Sequence, residues 1–264
     1  MARVIAVTNQ KGGVGKTTTC VNLAASLAAT RRRVLLVDMD PQGNATMGSG
    51  VDKNALELSG YDVLTKRASP AEVIVKTDAS GFDLLPANGD LTAAEVELMN
   101  EIGREHRLRL ALNSVRENYD YILIDCPPSL NLLTVNSLSA ADSVLIPMQC
   151  EYYALEGLAA LMNTVEQIKE TVNPNLEIEG ILRTMYDPRN SLTLDVSGQL
   201  SEYFGDKVYR AVIPRNVRLA EAPSYGMPAL AYDKTSKGAV AYLALAGEMV
   251  RRHGSKKTSA AVAV

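Results

Sequence analysis

Apolar segments rich in Val and Ile recur along the chain, and each is separated from the next by a longer, more polar stretch. They occupy residues 3–9, 33–38, 82–87, 119–126, 143–149, 177–186 and 207–214. Their hydrophobicity is continuous rather than alternating, which is typical of strands that are covered on both faces of a sheet. The pattern therefore predicts a mostly parallel sheet.

Helical periodicity fills the intervals between the predicted strands. It is clearest in Thr17–Ala29, Ala93–Glu117, Leu155–Thr171 and Lys237–His253. Strands that alternate with helices imply right-handed crossovers, so we predict a doubly wound α/β sheet flanked by helices. Residues 1–253 are expected to form one domain. The segment 254–264 has a linker-like composition, which predicts a disordered tail.

Composition and charge narrow the class of protein. The chain has 264 residues, and none of its apolar stretches approaches the roughly 18 residues that a membrane helix requires. The start "MARVIAV" lacks a secretory leader, so we expect a soluble, cytoplasmic protein with reduced, buried cysteines. The net charge is −3, yet residues 183–264 hold 12 Lys+Arg against 7 Asp+Glu. Such a segment is either a basic binding face or an ordinary solvated surface.

The stretch "NQKGGVGKTTT" (9–19) lies between the first predicted strand and the first predicted helix. Its glycines allow backbone N–H groups to approach an anion closely, and the helix dipole adds to the attraction. Lys16 would contact the β- and γ-phosphates, and the Thr17 hydroxyl would ligate Mg²⁺. The strict pattern G-x-x-x-x-G-K-[ST] fails, because Gln10 stands at the first glycine position. The predicted nucleotide contacts of this loop are Gly12, Gly13, Val14, Gly15, Lys16, Thr17 and Thr18.

Three aspartates end two of the predicted strands. Asp125 in "ILIDCPP" occupies the expected Walker-B position. Asp38 and Asp40 in "VLLVDMDPQGN" are two residues apart and would face the same way in an extended chain. A single aspartate at a strand end can be no more than a turn or helix cap. Three of them beside a phosphate loop favour a magnesium site.

Several motifs together resemble the ParA/Soj chromosome-partition ATPases, phosphate-loop proteins with a deviant Walker A motif. They are "KGGVGKTTT", "VLLVDMDPQGNAT", "YDYILIDCPPSL", "QCEYYALEGL" and "VIPRNVRLAEAPSYGMP", and the match runs from about residue 2 to residue 250. The broader group, which includes MinD and the nitrogenase iron protein, shares the extra lysine. The resemblance implies that Lys11 reaches across a two-fold interface to a phosphate held by the other subunit, with two ATP molecules between the monomers. Gly12 would lie where the facing backbones come close.

The resemblance also assigns roles around the nucleotide. It implies ATP and Mg²⁺ as cofactors, with Asp40 positioning the attacking water, Asp38 close to the magnesium shell and Asp125 holding the metal's waters. Lys11 and Lys16 would neutralise developing charge during hydrolysis. Pro214 and Asn216 in "IPRNVR" would contact the adenine. Hydrolysis would be slow, which suits a switch.

The partners implied by the resemblance are DNA, a second copy of the chain and a ParB-type centromere-binding protein that stimulates hydrolysis. Such switches bind double-stranded DNA without sequence preference as ATP dimers, so the protein would be associated with the nucleoid. The family's DNA-binding arginines map onto Arg189 and Arg218, both within the basic segment. Contacts of this kind recognise phosphate and carry no sequence information.

Other functions remain open. A MinD-like membrane switch would need a C-terminal amphipathic helix, but the apolar residues of the tail are only Ala and Val. An iron–sulfur electron carrier would need a second cysteine at a suitable spacing from Cys126, and the sequence has none, which disfavours this alternative. An ATP-dependent metabolic enzyme on the same fold is the third alternative. His106 and His253 lie outside every motif and are predicted to be surface residues.

Overall fold

The computed structural model describes residues 1–262, and within them the strands form one eight-stranded sheet. The strands are β1 (Arg3–Val7), β2 (Val34–Asp38), β3 (Val75–Lys76), β4 (Asp83–Leu85), β5 (Tyr121–Asp125), β6 (Ser143–Gln149), β7 (Glu177–Tyr186) and β8 (Val208–Pro214). Their order is β3-β4-β2-β5-β1-β6-β7-β8, parallel throughout except where β3 pairs with β4. The predicted sheet is confirmed. Strand β3 was not predicted, because two residues are too few to show a periodicity.

Helices cover both faces of this sheet. They are α1 (Lys16–Ala29), α2 (Asn44–Gly48), α3 (Gly60–Leu64), α4 (Pro70–Val73), α5 (Leu91–Glu97), α6 (Arg107–Asn113), α7 (Leu132–Ala140), α8 (Ala154–Thr171), α9 (Ser191–Phe204), α10 (Val217–Glu221), α11 (Ala229–Tyr232) and α12 (Lys237–Val262). Helix α12 continues past Gly254, where the tail was expected to begin. Residues 263 and 264 lie outside the described residues, so the boundary between domain and tail stays a prediction. Across residues 1–262 we find no helix of the length and apolarity that a bilayer span requires.

Alternate residues of each central strand enter two separate apolar cores. In β1, Val4 and Ala6 pack with residues of α6, α7 and α8, whereas Ile5 and Val7 pack with residues of α1 and α12. This explains the continuous hydrophobicity of the strands, because both faces of the sheet are buried. Each fully buried Leu, Ile or Val contributes about 1.5–3 kcal/mol. The three cysteines are free and buried, as expected.

The phosphate loop follows β1, the strand at which the order of the strands along the sheet reverses. Strand β1 pairs with β5 on one side and with β6 on the other, and Val7 is in register with Asp125 and with Leu145. On the next strand, Asp38 is in register with Asp125. Open α/β sheets bind ligands at such a switch point, outside the carboxyl ends of the strands. The topology therefore brings the loop and both aspartates to one edge.

The predicted helix Ala93–Glu117 is wrong as a single element. The chain forms α5, passes through short 3-10 turns, and begins α6 only at Arg107. Gly103 interrupts the segment with a φ of +69°, a left-handed conformation that a right-handed helix cannot contain. The apolar periodicity persists across the break because both short helices bury one face against the same core.

The prediction that His253 is a surface residue is also wrong. Its side chain is 8% exposed, its Nε2 lies 2.8 Å from Glu179 Oε1, and its Nδ1 lies 3.0 Å from the Tyr121 hydroxyl. The imidazole thus joins α12 to β5 and β7. His106 is half-buried, with Nδ1 2.7 Å from the Ser139 hydroxyl.

Candidate nucleotide site

The loop between β1 and α1 has the backbone geometry of an anion cradle. Gly13 and Gly15 have φ angles of +73° and +88°, which residues with side chains rarely adopt. Helix α1 begins after Gly15 without any side-chain cap and without an acidic residue in its first turn. The N–H groups at its start therefore remain available, together with the positive end of the helix dipole, for a phosphate.

Hydrogen bonds to three neighbouring elements, β6, β7 and α8, hold this loop in place. Thr184 in β7 donates its hydroxyl to the carbonyl of Val14 at 2.8 Å. Asn9 donates from Nδ2 to the carbonyl of Pro147 at 2.8 Å, and Gln10 donates from Nε2 to the Thr164 hydroxyl at 3.1 Å. Gln10, which breaks the strict sequence pattern, thus ties the loop to α8. Its spacing from the glycines gave no signal of this contact.

The two lysines of the loop lie in different environments. Lys16 is 7% exposed, and its Nζ donates to the carbonyl of Lys11 at 3.3 Å, so this side chain folds over the loop. The Lys11 side chain is 46% exposed and forms an ion pair with Glu151, with 2.6 Å between Nζ and Oε2. The sequence drew attention to the motif that contains Glu151 but gave that residue no role. Lys16 is therefore placed to act within its own loop, whereas Lys11 lies on the surface.

Asp38 and Asp125 are fully buried beside the loop. Asp125 Oδ1 accepts from the Cys20 thiol at 3.4 Å, while its Oδ2 has no hydrogen-bond partner among the described residues. Asp38 accepts the N–H and the hydroxyl of Thr46 on Oδ2, each at 2.8 Å. The two carboxylates thus differ, since only Asp125 retains a buried oxygen without a partner.

The electrostatics of this pair favour a cation. Burial raises the pKa of Asp125, and the nearby charge of Asp38 raises it further, while the hydrogen bond from the Cys20 thiol lowers it. Burial likewise raises the pKa of Asp38. Two buried carboxylates that disfavour each other's ionisation are relieved by a divalent ion. The unpartnered oxygen of Asp125 and the adjacent Thr17 hydroxyl fit such an ion, and Asp38 adds charge.

The side chains at this site suit Mg²⁺ better than a metal ion whose ligands all come from the protein. In the part of the chain that the structure describes, no three His, Cys, Asp or Glu side chains are grouped to hold a metal ion. Mg²⁺ keeps several waters and binds through one or two carboxylates together with the phosphates of a nucleotide. Thr17 and Asp125 are the side chains that would hold such an ion or its waters.

Asp40 follows β2 in a tight turn and is half-buried. Its backbone N–H donates to Asp38 Oδ1 at 3.1 Å, and its own Oδ1 accepts from the N–H of Gln42 at 3.0 Å. Its carbonyl accepts from the N–H of Gly43 at 2.8 Å. These bonds hold the Asp40 carboxylate at the same sheet edge as the phosphate loop.

The predicted adenine contacts lie at the end of β8, on the far side of β7 from the phosphate loop. Pro214 is the last residue of β8, and Asn216 begins helix α10 by accepting from the N–H of Arg218 on Oδ1, at 3.1 Å. That bond uses one of the two lone pairs of the carboxamide oxygen, and the contact of Asn216 with adenine stays a prediction.

Of the two predicted DNA-binding arginines, Arg189 lies on the loop that follows β7, and Arg218 lies in the first turn of α10, which follows β8. Arg189 forms a two-point ion pair with Asp187, with N···O distances of 2.9 and 2.8 Å, and its side chain is 88% exposed. Arg218 pairs with Glu221 at 2.7 Å and lies 3.5 Å from Asp233. Each guanidinium is therefore exposed but already neutralised by a carboxylate of its own chain.

These features define the chain as a phosphate-loop nucleotide-binding protein. Its glycine loop lies between a central parallel strand and an uncapped helix, and buried aspartates on neighbouring strands flank the loop. Comparison with known proteins narrows this class. A family model described as "AAA domain" matches residues 2–178. The chain is 56% identical over 249 residues to the sporulation initiation inhibitor protein Soj of Bacillus subtilis (strain 168), covering 94% of this chain and 98% of that protein. It is 52% identical over 261 residues to the chromosome partitioning protein ParA of Caulobacter vibrioides (strain NA1000 / CB15N), covering 98% of each.

The chain belongs to the ParA/Soj family of chromosome-partition ATPases, which confirms the resemblance drawn from its motifs. Among solved structures, it is similar to cobyrinic acid a,c-diamide synthase from Mycobacterium smegmatis, crystallised with an ATP analog and magnesium. That similarity has a TM-score of 0.85 and 39% identity, and it covers 97% of both chains.

Proposed function

We propose that this protein is an ATP-dependent switch for chromosome or plasmid partition, in which ATP joins two copies of the chain. The observation that carries the proposal is the contrast between the two lysines of one phosphate loop. Lys16 is buried over its own loop, whereas Lys11 is half-exposed and directed to a surface carboxylate. A phosphate loop needs one lysine, so the second is available for a phosphate held by another subunit.

ATP with Mg²⁺ is the proposed ligand. The uncapped start of α1 would receive the phosphates, and Thr17 with Asp125 would hold the metal or its waters. The structure of the Mycobacterium smegmatis relative, solved with an ATP analog and magnesium, supports this choice. Magnesium would supply charge neutralisation between the β- and γ-phosphates.

Hydrolysis would depend on positioning rather than on a strong base. Asp40 would orient the attacking water, while Lys16 from the same chain and Lys11 from the partner would balance charge on the transferred phosphoryl group. Asp38 and Asp125 are fully buried, whereas Asp40 is half-buried and therefore more accessible to water than either of them. Slow turnover would follow, and it would keep the dimer assembled until a partner protein of the ParB type accelerates hydrolysis.

Dimer formation would exchange one ion pair for another. Lys11 would leave Glu151 and bind a triphosphate across the interface. The pair with Glu151 is exposed, and such pairs contribute only about 0–1 kcal/mol, so the exchange is not costly. A phosphate buried between two subunits offers Lys11 a more highly charged partner in a less polar setting.

DNA binding would use Arg189 and Arg218 as phosphate contacts. Both guanidinium groups are exposed at the carboxyl edge of the sheet, and each would exchange a carboxylate for DNA phosphate. A dimer doubles the number of contacts, which strengthens binding and makes it more sensitive to salt. The ATP state would then decide whether the protein remains on the nucleoid.

The proposal is tested by measuring the mass of the protein in solution with no nucleotide, with ADP and with a non-hydrolysable ATP analogue. The wild type should dimerise only with the analogue, while Lys11→Ala and Gly12→Val should stay monomeric. A Cβ at Gly12 would meet nothing within 4 Å in its own chain, so an effect of Gly12→Val would come from crowding of the nucleotide or of a second chain. ATP binding by the variant separates the two. Gly198→Val, another exposed glycine with open space around it, and Lys76→Ala are the matched controls. Dimers in both Lys11→Ala and Gly12→Val would refute the scheme.

A metabolic ATP-dependent enzyme is the second candidate, and the similarity to a synthase supports it. The two functions differ in what accelerates ATP hydrolysis. A partition switch would respond to DNA together with a ParB-type protein, whereas a metabolic enzyme would respond to a small acid substrate. A membrane switch of the MinD kind would float with liposomes in the presence of ATP.

A further inference from the structure

A single buried threonine organises the turn that carries Asp40. Thr46 in α2 is 0% exposed. Its backbone N–H and its hydroxyl both donate to Asp38 Oδ2, and each bond is 2.8 Å long. The hydroxyl oxygen in turn accepts from the N–H of Ala87 at 2.9 Å. The hydroxyl thus connects Ala87, two residues after the end of β4, to the carboxylate that ends β2.

Asp38 passes this connection on to Asp40. Its second oxygen, Oδ1, accepts from the Asp40 N–H at 3.1 Å. The carboxylate therefore bridges α2 to the backbone of Asp40, and both of its oxygens accept hydrogen bonds. Buried hydrogen bonds to a charged group are among the stronger ones, so this bridge restricts where the Asp40 backbone can lie.

The backbone of Ala87 also packs against Gly43, at the other end of the turn that carries Asp40. Gly43 has a φ of +60°, and a Cβ at this position would lie 2.7 Å from the carbonyl oxygen of Ala87. The Gly43 N–H donates to the Asp40 carbonyl at 2.8 Å. The backbone of Ala87 thus supports the turn at two points, one through Thr46 and one through close packing on Gly43.

We propose that Thr46 is a positioning residue for ATP hydrolysis. Its hydroxyl fixes the Asp38 carboxylate, Asp38 fixes the backbone of Asp40, and the Asp40 carboxylate is thereby aimed at the attacking water. This inference rests on the proposed function, in which Asp40 orients that water. Thr46 itself would touch neither nucleotide nor water. Displacing a catalytic group by about 1 Å can reduce the rate by about 10²-fold, so a bridge of this kind has a measurable effect.

The test compares Thr46→Val, which removes the hydroxyl and keeps the shape, with Thr46→Ser, which keeps the hydroxyl. Thr46→Val should lower kcat for ATP hydrolysis by roughly 10- to 100-fold and leave the Kd for ATP within about twofold of wild type. Thr46→Ser should recover most of the turnover. A purely structural role would instead lower the amount of folded protein and affect kcat and ATP binding together.

Ser49→Ala is the matched control. Ser49, the residue that follows α2, is also buried, and its hydroxyl donates to the carbonyl of Ala45 at 2.7 Å rather than to Asp38. Its turnover should stay at the wild-type level. Gly43→Ala perturbs the same turn by crowding the carbonyl of Ala87 and leaves Thr46 unchanged. It therefore replaces Thr46→Val as the test variant if Thr46→Val does not fold. It should lower kcat in the same way.

Hydrogen exchange at the Asp40 N–H provides a readout that does not require catalysis. In Thr46→Val this amide should exchange faster, because its acceptor Asp38 is less firmly held. Wild-type kcat in Thr46→Val, or equal losses in the Val and Ser variants, would overturn the proposal. Wild-type turnover in Asp40→Ala would instead refute the proposed role of Asp40. Unchanged exchange of the Asp40 amide in Thr46→Val would refute the bridge itself.

Discussion

Glu179 provides a quantitative test of the structure, because its charge is buried and held by several donors. Its side chain is 4% exposed, and Oε1 accepts from the Tyr209 hydroxyl at 2.9 Å and lies 2.8 Å from His253 Nε2. The Ser143 hydroxyl donates to Oε2 at 2.9 Å. Burial by itself raises the pKa of Glu179, but these hydrogen bonds, together with the electrostatic attraction to His253, outweigh it and lower the pKa to about 2.

The contribution of the Glu179 charge to the free energy of folding follows from this lowered pKa. A decrease from the ordinary value of 4.5 to about 2 corresponds to roughly 3 kcal/mol of folding free energy, at about 1.4 kcal/mol per pKa unit. Since the folded-state pKa is depressed, this stabilisation is fully present above pH 4.5 and is lost as the pH falls towards 2. Glu179→Gln, which keeps the shape and removes the charge, should therefore be less stable than wild type by roughly 3 kcal/mol at pH 7.

Urea unfolding of wild type and Glu179→Gln at pH 7, 5, 4 and 3 measures this difference. The gap between the two proteins should narrow as the pH falls from 5 to 3, because the Glu179 carboxylate is protonated over this interval in the unfolded chain. Glu202→Gln, an exposed glutamate on α9, is the control and should unfold like wild type at each pH. A gap that does not narrow in acid, or one below about 1 kcal/mol at pH 7, would refute the reasoning.

The remaining predictions concern the nucleotide and DNA sites. Asp40→Ala should bind ATP and dimerise but release no phosphate, and turnover at the wild-type rate would remove Asp40 from the mechanism. Asp125→Asn should abolish Mg²⁺-dependent hydrolysis. The Tm of this variant without Mg²⁺ should be no lower than that of wild type, because the substitution relieves the repulsion between residue 125 and Asp38. A large fall in Tm would contradict this reasoning. Arg218→Glu should lose DNA binding in a gel-shift assay while keeping ATP-dependent dimers, and an unchanged shift would remove that assignment.

The relation between sequence and fold is clearest in the central strands and in the segment 93–117. The strands could be predicted because burial on both faces leaves a local mark, a continuous run of apolar residues in each strand. The break in segment 93–117 could not, because its two short helices share one apolar face and the conformation of Gly103 interrupts them. Periodicity records which face is buried and does not record whether the backbone is continuous.

The sequence by itself determined the α/β class, the phosphate loop, the strand-end aspartates and the family, since each depends on residues that are adjacent in the chain. Only the tertiary structure decided which distant groups meet: Glu151 with Lys11, Thr46 and Ala87 with the turn that carries Asp40, and Glu179 with a buried His253. Parallel strands are joined by long crossovers, so residues far apart in the chain converge at one edge of the sheet. No local pattern records that convergence, because it arises from the strand order and register of the folded sheet.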